Sequence, residues 1–157
     1  MQFSTVLLAA LTSALASAAP TTSLPKRSCA VQYPNALGFP ININLAKNAA
    51  VDITADLGFT IPNGVVGPCS LVVQFPANYP ISASGDSQVN FKAIDGPAPG
   101  ALVGTYTFQK SADAVFATIN SFACRPNFDF ELELAGAEGA VSFSEIEGAG
   151  LYMTYNC

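Results

Sequence analysis

The sequence predicts an all-β protein: an antiparallel β-sandwich of about eight strands held by two disulfides. Three observations carry that expectation. Apolar residues alternate with polar ones over "VDITADLGFTI" (51–61) and "FDFELEL" (128–134), the period of a strand with one dry face. Short runs rich in Val, Ile, Phe, Thr and Tyr are separated by Gly, Pro, Asn and Asp turns, as several short strands in one domain require. Four cysteines, Cys29, Cys69, Cys124 and Cys157, follow an export-type leader, which reads as two disulfides.

The leader comes first in the chain. "MQFSTVLLAALTSALASAAP" has an apolar run from Val6 to Ala16, too short for a membrane span. Ala16-Ser17-Ala18 then supplies small residues for signal peptidase. Residues 1–18 are expected to be a signal peptide cut after Ala18. "APTTSLPKRSC" is a Pro/Thr/Ser segment ending in Lys26-Arg27, the dibasic signal of kexin-type proteases. Residues 19–27 are therefore expected to be a propeptide, and 28–157 a single domain starting at Ser28. No apolar tail follows "LYMTYNC", so neither a lipid anchor nor a membrane partner is expected.

The strands follow. In 51–61, Val51, Ile53, Ala55, Leu57, Phe59 and Ile61 share one face, and Asp52, Thr54, Asp56, Gly58 and Thr60 the other. "AKNAAVD" before it reads at most as one short helical turn. "CSLVVQF", "QVNFKAI", "LVGTYTF", "VFATINSFAC", "FDFELEL", "VSFSEI" and "LYMTY" complete the set. "SASGDS", with Gly85, and "DGPAPG" read as turns. Pro97 and Pro99 cannot continue a central ladder, so Asp95–Gly100 is expected to be a loop. The predicted disulfides are Cys29–Cys157, joining termini that lie close in a sandwich, and Cys69–Cys124, bordering two strands.

Composition excludes several functions. Loss of residues 1–27 leaves eleven acidic residues against Lys47, Lys92, Lys110 and Arg125, a net charge of about −7 against −5 for the whole chain. Four scattered cations make no phosphate-tracking surface, so no nucleic-acid partner is expected. There is no His, hence no Ser-His-Asp or Cys-His system. With all cysteines paired, no thiol nucleophile remains. The cysteines are too widely spaced for a zinc site, and no metal or other cofactor is expected.

The one candidate constellation is Asp129, Glu131 and Glu133, three carboxylates at alternate positions. Same-face neighbours on a strand lie about 6.8 Å apart, a spacing compatible with glycoside hydrolysis. A general acid, however, needs a pKa raised by burial. These three oppose a phenylalanine face, so the expectation is a hydrated, ionised row. Asp52 and Asp56 read the same way. Tyr33, Tyr79, Tyr106, Tyr152 and Tyr155 read as core or rim packing rather than sugar platforms.

Four stretches carry a family resemblance: "GPCSLVVQFPANYPI", "VNFKAIDGPAPGALVGTYTF", "INSFACRPNFDFEL" and "LYMTYNC". Over residues 29–157 the chain resembles the But-type C-terminal domain family of fungi. That family is named for a protein described as binding a ubiquitin-like activating enzyme. The resemblance implies a fold more than an activity and supplies no catalytic residues. The export signals, the disulfides and the missing catalytic groups give the expectation of a secreted, non-enzymatic β-sandwich module, extracellular or cell-wall associated, its partner unknown, with wall polysaccharide or an extracellular protein as candidates. The alternatives are a secreted glycan-active enzyme using carboxylates and a binder of ubiquitin-like pathway proteins.

Overall fold

The computed structural model describes residues 28–35 and 41–157. The expected signal peptide and propeptide, with Ala18, Lys26 and Arg27, lie outside the described residues. Twelve strands follow in order: β1 (Ala30–Gln32), β2 (Ile41–Asn48), β3 (Val51–Ile53), β4 (Ala55–Thr60), β5 (Pro68–Phe75), β6 (Ser82–Gly85), β7 (Gln88–Ala93), β8 (Leu102–Thr107), β9 (Val115–Ala123), β10 (Asn127–Leu134), β11 (Gly139–Glu145) and β12 (Gly150–Tyr155). They form three four-stranded sheets, β1-β12-β5-β9, β4-β10-β7-β8 and β3-β2-β11-β6. Every pairing is antiparallel.

The count exceeds the expected eight for identifiable reasons. β1, β2 and β6 are additional strands. The predicted single strand 51–61 is two, broken at Thr54. "AKNAAVD" is not a helical turn but the end of β2, a tight turn and the start of β3. Asn48 shapes that turn: its Oδ1 accepts the Ala50 and Val51 N–H groups at 2.8 and 3.0 Å, a local bond that favours turns over helix. β3 lies at a sheet edge, so Val51 and Ile53 are exposed rather than buried as the alternation implies. "SASGDS" is likewise not all turn, because Ser82–Gly85 pairs with β11.

The phenylalanine-rich strands build the centre. Leu57, Phe59, Phe91, Phe128, Phe130, Leu132 and Leu134 are almost wholly buried, together with Ile43 and Leu45 from β2 and Leu71 and Leu151 from the first sheet. All three sheets thus contribute to one core. Each such side chain stabilises the fold by about 1.5–3 kcal/mol on burial. Phe75 meets Phe108 and Phe143 edge-on, with ring centroids 6.1 and 5.2 Å away, a favoured aromatic arrangement.

Two disulfides close the framework. Cys29–Cys157 ties the residue before β1 to the end of the chain, and Cys69–Cys124 ties β5 to the residue after β9. Both bridges run alongside existing strand pairs, β1 with β12 and β5 with β9.

Candidate functional site

β10 places the acidic row as the alternation requires. Phe128, Phe130, Leu132 and Leu134 point inward, while Asp129, Glu131 and Glu133 are half-buried on the other face. The row is less wet than expected and its members have different surroundings. Glu133 meets Lys92 across the β7–β10 ladder at 2.7 Å, and Asn90 Nδ2 donates to it at 3.4 Å. The Lys92 hydrogen bond comes first among the causes that hold the Glu133 carboxyl below its ordinary range. Glu131 stands opposite Asp56 on one side and Lys92 on the other. Partial burial, then the neighbouring Asp95 charge, pushes the Asp129 carboxyl up. Asp129 and Glu133 are thus shifted in opposite directions, each by its own neighbours.

Beyond Asp129, one ion pair organises a loop. The Asp95–Gly100 segment lies between β7 and β8, as the prolines require. Arg125, just after β9, donates from both terminal nitrogens to the two Asp95 oxygens, with Nη2 at 2.5 Å from Oδ1. Asp95 Oδ1 also accepts the Asp129 N–H at 3.0 Å. The loop backbone is stitched to β10 again by the Ile94 N–H, which donates to the Asp129 carbonyl at 2.8 Å. The guanidinium carbon sits 4.4 Å from the Phe128 ring centroid, a cation–π geometry. Under it is Gly96, at φ +90°, where a Cβ would come within 2.9 Å of that same carbon. The backbone conformation thus favours glycine there, and a Cβ would also press on the guanidinium. The Arg125 hydrogen bond is the leading reason that the Asp95 carboxyl lies below its ordinary range.

This loop roofs a cleft of about 450 Å³. β8 and β9 are the facing edges of two different sheets. They are joined at the cleft by a side chain: Asn120 Nδ2 donates to the Val103 carbonyl at 2.5 Å. Phe122, Phe128 and Phe130 line the cleft from within, with ring centroids 5.5–6.2 Å apart. Leu102 and Val103 line one side, and Pro97, Ala98 and Ala101 of the loop another. Leu102 is 58% exposed there, a large apolar side chain left wet at the mouth. Immediately past Val103, Gly104 approaches Ile119 so closely that a Cβ would lie 2.7 Å from its Cγ2. The polar groups of the cleft are Asn120 and the Asp95–Arg125 pair. A mostly apolar concavity with few convergent polar groups is the usual form of a small-molecule site.

Glu145 is the second feature that the sequence reading misses. It ends β11 in register with Val141 and Phe143 and is completely buried. Its Oε1 accepts the Leu151 N–H at 2.7 Å, and its Oε2 makes no hydrogen bond. Burial raises its pKa to about 8, against which the Leu151 bond acts only in part. Tyr79 lies near, its hydroxyl donating to the Ser144 carbonyl at 2.7 Å. Burial first, then the Glu145 charge, pushes the Tyr79 hydroxyl up. The signal was present: in "VSFSEI" the parity that buries Val141 and Phe143 also buries Glu145.

Among the described residues, no group of three or more Cys, Asp or Glu side chains is arranged to hold a metal ion. No family model, curated protein or solved structure matches the chain.

Proposed function

We propose that this protein is an extracellular, non-enzymatic β-sandwich module that binds a small molecule in the cleft between β8 and β9. The observation that carries this reading is the cleft: about 450 Å³, apolar, and roofed by a loop that Asp95 and Arg125 hold in place. The ion pair holds the loop in place over the cleft it lines, which supports a site preorganised for binding. Two disulfides are consistent with an oxidising compartment. The leader and the Lys26-Arg27 pair support export. Three antiparallel sheets with apolar inner faces meeting in one core support the sandwich reading. The resemblance to the But-type C-terminal domain family belongs to the same proposal, with the extracellular role preferred to a ubiquitin-like partner. Association with the cell wall is proposed as the setting in which such a ligand is met.

A ligand-observed NMR screen of small apolar and saccharide fragments against the oxidised protein tests the reading. Fragment binding that Ala98→Trp abolishes supports it. Binding that is indifferent to Ala98→Trp, or turnover of a saccharide fragment, contradicts it.

A further inference from the structure

We propose that the β8–β9 cleft takes one neutral, ring-bearing apolar molecule rather than an anion or a long acyl chain. This rests on the reading of the cleft as the binding site and specifies its ligand class.

Charge sets the first limit. Arg125 is the cleft's cation, and both of its terminal nitrogens already face the Asp95 carboxylate. A ligand carboxylate would compete with Asp95 for the same N–H groups. The chain's own net charge of −5 disfavours an anion further. A cationic ligand would find Asp95 already neutralised. Desolvating a ligand charge there gains no new partner, so neutrality is favoured.

Shape sets the second limit. Arg125 and Asp95 line the cleft, and the Gly104–Ile119 approach brings the two edge strands together just past Val103. A cleft of about 450 Å³ bounded there suits a short, compact ligand. On its inner side the half-buried Phe122 offers its ring, backed by the almost wholly buried Phe128 and Phe130 with centroids 5.5 and 5.8 Å away, and aromatic ligands pack on such a ring by offset or edge contact. Asn120 supplies the orienting polar group. Its Nδ2 donates to Val103 and its Oδ1 accepts the Ser121 N–H at 2.7 Å, which leaves each atom capacity for one more bond. The exposed Leu102 side chain is the apolar surface that a bound ring would cover.

The test uses two fluorescent probes of similar size against the oxidised protein: neutral N-phenyl-1-naphthylamine and anionic 1-anilinonaphthalene-8-sulfonate. The neutral probe is expected to bind with 1:1 stoichiometry, at least about tenfold tighter than the anionic one, a difference of about 1.4 kcal/mol. Ala98→Trp, which fills the mouth from the exposed loop, and Leu102→Ser are each expected to weaken the neutral probe at least about tenfold. Val66→Ser removes an 82% exposed apolar side chain elsewhere and is expected to change nothing. Equal or tighter binding of the anionic probe overturns the ligand class and leaves the cleft reading standing. Failure of both probes to bind overturns both. Neutral-probe binding that survives Ala98→Trp and Leu102→Ser, or is lost in Val66→Ser, places the probe outside the cleft and overturns the proposal.

Discussion

Asp95 and Arg125, thirty residues apart, meet through two parallel hydrogen bonds, and the same carboxylate accepts the Asp129 N–H. That relationship joins the loop before β8, the segment after β9 and the start of β10. Each side chain is less than a third exposed, so the pair is worth more than an ordinary surface bridge. Asp95→Asn should destabilise the protein by about 1–2 kcal/mol, measured by denaturant unfolding with disulfides intact. An unchanged midpoint would show that the loop is held by something else.

The pH dependence of stability should have two parts of opposite sign. Glu145 has a folded pKa of about 8, above its ordinary 4.5. The folded state therefore binds the proton more tightly, and this stabilisation is complete below about pH 4.5 and lost as pH rises towards 8. Asp95 and Glu133 are shifted down. Their contribution is present above the ordinary carboxylate range and lost as pH falls through their folded pKa values. Glu145→Gln should flatten the loss between about pH 5 and about pH 8 and leave the acid limb intact. A wild-type curve that is flat over that span would contradict the burial of an ionisable Glu145.

Phe130 and Glu131 are sequence neighbours with opposite fates. Phe130→Ala should cost about 3–5 kcal/mol through lost burial and a cavity. Glu131→Gln should cost less than about 0.5 kcal/mol. Chemical denaturation of both variants decides it, and a more damaging Glu131→Gln would reopen the acidic row as a site.

Cys69 is wholly buried and bonded to Cys124. Replacing both with Ala should destabilise the domain by about 2–5 kcal/mol. Mass spectrometry of an unreduced digest should link Cys69 to Cys124 and Cys29 to Cys157. A free thiol in the native protein would count against the framework.

How much of this was legible in the sequence depends on how local the cause is. β10 could be read residue by residue, because its alternation is strict and both of its neighbours are strands. The run 51–61 has the same pattern, yet it breaks at Thr54, because β3 and β4 belong to different sheets. Periodicity reports which side chains share a face; it does not report what covers that face. β2 was missed because "ININLAKN" alternates apolar with uncharged Asn, and its outer face is satisfied by pairs formed only in the fold, such as Ser142 with Asn44 and Ser144 with Asn42. Glu145 was legible by parity, but a carboxylate at a strand end reads as solvated until its burial is seen. The Asp95–Arg125 pair and the cleft were not legible, since they arise where two sheet edges meet across long sequence separations.

The central claim is that the β8–β9 cleft is the binding site. Hydrogen–deuterium exchange of the oxidised protein, with and without N-phenyl-1-naphthylamine, tests it most directly. Added protection should fall on residues 93–103 and 120–125, with none around the exposed Val51, Ile53 and Val66. Protection at those exposed residues, or none at all at a saturating concentration of probe, would contradict the account.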